Sequence, residues 1–285
     1  MRRRSILITG ASGRLGASLA QALARDHDIV QLDLHEPAIE EQRKLGRVHA
    51  GSITDPAVVS EAMEGVDAVI HAAAIPGTRK PYHQLLETNV TGTFNLLEEA
   101  GNRGHVEQVV YISSIMYHGL VENPPPEHLP RYLPIDEDHP SLAVDYYGCT
   151  KAQAEYWCEK YVRRFRKPVV VIRPPWIVPL DQEPSLRAGP APDRPHLNDY
   201  IGTSDLIAGI ACAMDYHPKD GFDCFLLHAE DQRSATPSLE LVERFFPGIP
   251  VDREKLSACE GFGALVDCGR ATDRLGWSPS FRCMR

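Results

Sequence analysis

Along the first 173 residues, short and almost wholly apolar runs alternate with longer segments in which apolar positions recur every three or four residues. The runs are Ser5 to Thr9, Asp28 to Leu34, Val48 to His49, Ala68 to Ala73, Gln108 to Ser113 and Pro168 to Arg173. Runs of this kind predict strands buried on both faces of a parallel sheet. Between the first two, Leu15 to Arg25 sets Leu15, Leu19, Ala22 and Leu23 on one helical stripe that can cover such a sheet. The alternation predicts an α/β fold with a doubly wound parallel sheet of the Rossmann type over about residues 1–175.

After Arg173 the rhythm stops. Seven prolines fall between Pro174 and Pro195, and the spacing predicts a long ordered loop there. Beyond it come a helix from about Ser204 to Asp215, a strand at Cys224 to His228, a helix at Ser238 to Phe245 and a closing turn at Arg274 to Pro279. These make residues 176–285 a small substrate-binding cap, with loop 174–195 at its start.

A chain of 285 residues with 43% hydrophobic positions can bury a core without a metal or a disulfide, and no metal is expected. Its net charge of -9 opposes binding to nucleic acid or to an anionic membrane. The seven cysteines, 149, 158, 212, 224, 259, 268 and 283, form no C-x-x-C pair and fit reduced thiols in the cytoplasm. Arg2, Arg3 and Arg4 imitate the start of an export signal, but the apolar run after them is only Ile6 to Ile8 before Gly10.

The first strand runs into Thr9-Gly10-Ala11-Ser12-Gly13-Arg14-Leu15-Gly16, a G-x-x-G-x-x-G loop that opens a helix. Glycines there permit a tight turn and let backbone N–H groups approach a pyrophosphate, which the helix N-terminus favours. Asp33 ends the second strand, where a carboxylate accepts hydrogen bonds from an adenosine ribose hydroxyl and repels a 2'-phosphate. It favours NAD over NADP, while Arg14 is a guanidinium that could reach a 2'-phosphate.

These residues, with His71-Ala72-Ala73-Ala74, Asn89-Val90-Thr91-Gly92, Tyr111-Ile112-Ser113-Ser114, Pro134 to Pro140 and Asp145-Tyr146-Tyr147-Gly148-Cys149-Thr150-Lys151, resemble the extended short-chain dehydrogenase/reductase family, also called the NAD-dependent epimerase/dehydratase family. The resemblance covers the first 180 residues and thins to Leu275-Gly276-Trp277-Ser278-Pro279 near the end. It implies NAD held by Gly10, Ser12, Gly13, Arg14, Leu15, Gly16, Asp33, Ser52, Ile53, Ala72, Ala73, Ala74, Asn89, Tyr147, Lys151 and Pro174. It also implies a catalytic set of Ser114, Tyr147, Lys151 and Asn89. The lysine ammonium lowers the phenol pKa, Tyr147 exchanges a proton with the substrate oxygen, and hydride passes between the substrate carbon and nicotinamide. Asn89 positions a water in the proton relay.

A second Tyr-x-x-x-Lys, Tyr156 to Lys160, follows on the same predicted helix. Nine residues carry it about 900° around the helix, to the face opposite Tyr147. Gly119, five residues after Ser114, selects that serine over Ser113 as the catalytic hydroxyl of the family pattern.

Two features depart from the family. Ser52-Ile53 stands where Asp-hydrophobic holds adenine, and Pro174 to Pro179 lacks the Tyr-Gly-Pro of many nucleotide-sugar enzymes. Ile115 and Met116 replace the acidic pair of the dehydratases and also the Asn and His of uronate dehydrogenases, which the compact length and Lys80 to Leu86 otherwise resemble. The chain therefore reads as an NAD(P)-dependent oxidoreductase acting on a secondary alcohol or carbonyl of a small sugar, with Ile75, Ser114, Ile115, Met116 and Trp176 as substrate contacts and Arg187 and Arg194 able to meet an anion. A nucleotide-sugar epimerase and a non-catalytic dinucleotide-binding regulator are the alternatives. A homodimer through the helices bearing Asn89 and Tyr147 is expected from the resemblance.

Overall fold

A computed structural model of the chain describes residues 2–77, 81–119, 128–186, 193 and 199–283. In order the elements are β1 (Ser5–Thr9), α1 (Arg14–Leu23), β2 (Asp28–Asp33), α2 (Glu40–Arg43), β3 (Gly46–Ala50), α3 (Pro56–Ala62), β4 (Ala68–His71) and α4 (Tyr82–Leu85). A π turn (Leu86–Gly92) joins α4 to α5 (Thr93–Asn102), followed by β5 (Gln108–Ile112), a 3-10 turn (Ile115–His118), α6 (Tyr146–Phe165) and β6 (Val169–Arg173). Then come β7 (Trp176–Val178), α7 (Glu183–Leu186), β8 (Tyr200–Gly202), α8 (Thr203–Asp215), β9 (Phe222–Leu226), α9 (Ser238–Phe245), α10 (Arg253–Leu256), α11 (Ala258–Gly261) and α12 (Gly269–Leu275).

Seven strands form one sheet in the order β3-β2-β1-β4-β5-β6-β9, and the pairs among β1 to β5 run parallel. The order reverses between β1 and β4, which puts a crevice at the carboxyl ends of those strands, where β1 meets the glycine loop. The central strands are mostly apolar because both faces are covered: Ile6, Leu7, Ile8, Val69, Ile70, Val109, Val110 and Val169 to Ile172 are all 0% exposed. The doubly wound α/β architecture is as the periodicity predicts.

Two compact units divide the chain, and neither is continuous. The first comprises residues 1–113, 150–171 and 213–223; the second comprises 114–149, 172–212 and 224–285. Within the first unit, Arg4 donates to the Met214 carbonyl at 2.7 Å and Gln108 to the Ala213 and Tyr216 carbonyls at 3.0 and 2.7 Å. These bonds fasten residues 213–223 to β1 and β5. The second unit has its own core of Ile115, Leu133, Ile135, Leu226, Val242, Phe246, Leu256, Leu265 and Val266.

Two sequence expectations are corrected here. The segment from Pro174 to Pro195 is not a loop throughout, since β7 pairs in parallel with β8, Trp176 opposite Tyr200, and α7 follows. Proline lacks an N–H but fits beside a short strand, and the Trp176 to Val178 run is apolar enough to pair. Residues 187–192 and 194–198, including Arg187 and Arg194, lie outside the described residues, as does Lys80. The strand expected at Cys224 to His228 runs instead from Phe222 to Leu226, so His228 lies beyond it.

Candidate active site

The glycine loop is shaped by contacts no side chain could share. Gly10 has φ +71°, and a Cβ there would lie 2.8 Å from the Ala73 nitrogen; a Cβ on Gly16 would lie 2.1 Å from the Gly10 carbonyl oxygen. The turn therefore packs tightly against Ala72 and Ala73 while leaving Ser12, Gly13 and Arg14 exposed. Gly13 caps α1 with no side-chain hydrogen bond, so the first-turn N–H groups, Leu15 among them, keep the donor capacity that a helix cannot satisfy internally. Asp33 turns toward this loop. Its carboxylate accepts from the Ser12 N–H at 2.8 Å and the Leu34 N–H at 2.7 Å. A pyrophosphate cradle with a carboxylate held beside it fits a dinucleotide such as NAD.

Ser52 and Ile53, after β3, are held by their own neighbours. The Ser52 hydroxyl is bonded to Thr54, through its Oγ1 at 2.8 Å and its N–H at 3.1 Å. Ile53 is 5% exposed and fills the space a side chain at Gly92 would need.

At the carboxyl end of β4 a buried relay of hydrogen bonds has a readable direction. Thr93 Oγ1 donates to the Asn89 carbonyl at 2.7 Å, so it accepts from His71 Nε2 at 2.9 Å. Nδ1 of His71 then accepts from Thr9 Oγ1 at 2.7 Å, and Thr9 Oγ1 accepts from the Ala73 N–H at 3.2 Å. This assignment needs a neutral imidazole, and burial holds the His71 pKa down at about 3, with the Lys151 charge adding to the effect. The relay fixes the π turn that carries Asn89. The Asn89 amide accepts from the Ile75 N–H at 2.7 Å and donates to the Ile75 carbonyl and to Thr150 Oγ1, both at 3.1 Å. Its side chain is thus a clamp on the Ala74–Ile75 segment.

Helix α6 carries Tyr147 and Lys151 one turn apart. Lys151, 2% exposed, donates to the Ile112 carbonyl at 2.7 Å and lies 5.0 Å from the centroid of the Tyr111 ring. Burial lowers its pKa to about 8, against the pull of Glu155 one turn further on. The buried Glu155 carboxylate also accepts from the Ser113 hydroxyl. Neither Glu155, Thr150 nor the Thr9–His71–Thr93 relay was legible as part of the site; the i, i+4 spacing of Lys151 and Glu155 was the available signal.

In the second unit, Ser114 hydrogen-bonds Tyr147, and its Oγ also accepts from the Met116 N–H at 3.2 Å. The phenol is not lowered toward neutrality as the sequence reading expected. Burial pushes it up to about 12, and the Asp145 charge raises it further while the Ser114 bond lowers it. Desolvation penalises the phenolate, and it outweighs the hydrogen bond. Ile115 turns into the core of this unit at 8% exposure, whereas Trp176 remains 44% exposed. The Ile115 N–H donates to the Pro174 carbonyl at 2.9 Å. Tyr156, the alternative tyrosine, is 52% exposed with Lys160 over its ring at 4.2 Å.

Sheet order, glycine cradle and acidic partner define a dinucleotide-binding α/β enzyme. Residues 6–183 match the NAD dependent epimerase/dehydratase family, and the chain belongs to it, as an NAD-dependent enzyme of the extended short-chain dehydrogenase type. It is 29% identical over 182 residues to an L-arabinose 1-dehydrogenase (NAD(P)(+)) of Haloferax volcanii, covering 62% of this chain and 68% of that one. It is 28% identical over 250 residues to a uronate dehydrogenase of Pseudomonas syringae pv. tomato, covering 80% and 86%. The fold matches UDP-glucuronic acid 4-epimerase from Bacillus cereus in complex with NAD, with TM-score 0.70 at 21% identity over 98% of this chain and 95% of that one.

Proposed function

We propose that the protein is a sugar dehydrogenase, which interconverts a secondary alcohol and a carbonyl on a small free sugar or sugar-like substrate. The observation that carries the reading is the hydrogen bond of Ser114 to Tyr147, with Lys151 one turn along the same helix. When bound, NAD takes or returns the two electrons that move with the carbon-bound hydrogen. Ser114 holds the substrate oxygen in line. Tyr147, protonated at neutral pH with its pKa near 12, donates a proton to a carbonyl oxygen. The reverse step needs the phenolate, which the Lys151 ammonium favours. Asn89 is a positioning residue through the Ile75 segment. Gly10, Gly13, Gly16 and Asp33 hold the dinucleotide, and Asp33 favours NAD over NADP.

Sugar dehydrogenases stand among the relatives, and Ile115 and Met116 supply no acid or base for elimination. A UDP-glucose 4-epimerase of Lactobacillus helveticus is 31% identical over 168 residues, which cover 54% of this chain and 47% of that one. The deciding experiment is a panel of free sugars, sugar acids and nucleotide sugars followed by NADH absorbance. Net NADH on a free sugar supports the dehydrogenase; isomerised nucleotide sugar without net NADH supports the epimerase; neither, with NAD bound, leaves a regulator.

We also assign the protein to the cytoplasm as a homodimer. The cysteines support the compartment, since none of the seven stands in a disulfide, and among the described residues no helix is long and apolar enough to cross a membrane. Leu86, Phe94 and Tyr156 are 47, 37 and 52% exposed, and Phe94 meets Trp157 edge-on at 5.2 Å, an apolar surface suited to a second copy.

A further inference from the structure

Arg233 has no part in the chemistry above, yet its surroundings are built. Its neighbours Asp231, Gln232 and Ser234 are all 0% exposed. The Gln232 N–H donates to the Phe262 carbonyl at 3.0 Å and its side chain to the Thr236 carbonyl at 2.9 Å; the Tyr200 hydroxyl donates to Asp231. The loop is pinned on both sides of Arg233. Tyr200 in turn pairs with Trp176 across β7 and β8, and the Arg233 guanidinium lies 4.7 Å from the centroid of the Trp176 ring.

The segment that carries Trp176 is tied by a backbone hydrogen bond to the residue after Ser114. Pro174, whose carbonyl holds the Ile115 N–H, precedes Trp176 by two residues, and all of these groups belong to one compact unit. In a protein of net charge -9, no carboxylate among the described residues pairs with Arg233, and its Nε is buried without a hydrogen-bond partner. Partly desolvating a guanidinium is costly unless an anion satisfies its fork of donors.

We propose that Arg233, stacked on Trp176, determines substrate specificity by binding an anionic group, carboxylate or phosphate, on the sugar. The exposed part of the indole supports the sugar ring, and the arginine meets the charge. The proposal rests on the sugar-dehydrogenase reading for what is bound, and its test separates binding from turnover.

The full chain with saturating NAD is titrated calorimetrically with glucose, glucuronate and glucose 6-phosphate, and turnover of each is followed as NADH. A charge-assisted contact predicts that one of the anions binds at least ~10-fold tighter than glucose, and which anion does so identifies the group. Arg233→Met, which keeps an apolar stem against Trp176, is expected to bring that preference within ~3-fold while leaving glucose unchanged; Arg233→Lys is expected to retain part of it. Should Arg233→Met fail to fold, Arg233→Lys and Arg233→Gln supply the same ratio. Equal binding of all three sugars by the wild type overturns the proposal, as does no binding of either anion, or an equal loss for glucose in the variant. Tight anion binding without turnover instead overturns the dehydrogenase reading and leaves the anion site standing. Turnover of neutral sugars alone does the reverse.

Discussion

Tyr147 and Tyr156 share a helix and a spacing to lysine, but Tyr147 hydrogen-bonds Ser114 whereas Tyr156 is 52% exposed. Tyr147→Phe keeps the ring and removes the proton. It is expected to lower kcat by at least ~100-fold with the NAD dissociation constant within about twofold of wild type, measured by NADH absorbance and fluorescence titration. Tyr156→Phe is expected to retain activity. Glu137 illustrates what burial does elsewhere. Its carboxylate accepts from the Leu226 N–H at 2.9 Å and lies 3.4 Å from Arg270, yet burial raises its pKa to about 7 from 4.5. The folded state therefore holds a proton between pH 4.5 and 7 that the unfolded chain has released, so this group lowers stability as pH rises through that window. Glu137→Gln is expected to stabilise the protein by up to ~3 kcal/mol above pH 7 and to leave it nearly unchanged below pH 4.5, as urea melts at the two pH values would read.

Among the elements, the glycine loop and the π turn do the positioning, and both depend on backbone packing. Because the Cβ of an alanine at 16 would meet the Gly10 carbonyl at 2.1 Å, relief requires moving backbone. Gly16→Ala is expected to lose ~1–3 kcal/mol of stability and at least ~10-fold in NAD affinity, in denaturant melts and cofactor titration. Asp33→Ala is expected to narrow the ratio of NAD to NADP in kcat/KM, since it removes the ribose acceptor and the charge that repels a 2'-phosphate. Helix α6 was legible in its faces: Lys151, Ala154, Glu155, Cys158 and Val162 recur at three and four residues and are buried, while Tyr156 is exposed. Strand β7 was not legible, because three apolar residues between prolines reveal pairing only when β8 is beside them.

For the whole molecule, the net charge of -9 and the exposed apolar residues on α5 and α6 lead to one expectation about assembly. Light scattering should give the mass of two chains, and Phe94→Asp, which puts a charge on that surface, should shift the population to one chain without abolishing NAD binding. A wild-type mass of one chain would remove the dimer from the account.

The sequence by itself determined the sheet and the glycine loop that follows its first strand, because both are written in local pattern. Apolar runs buried on both faces need no distant partner to be read, and three glycines between a strand and a helix suit a tight turn, whereas the helical spacing alone fits Tyr156 and Lys160 as well as Tyr147 and Lys151, and it is the family resemblance that singles out the latter pair. Tertiary structure decided the rest. Ile115 packs into a core, Ser52 bonds Thr54, Glu155 lies beside Lys151, and Arg233 stacks on Trp176 57 residues away. Desolvation and pairing across long chain separations depend on what surrounds a side chain, and no local pattern carries that information.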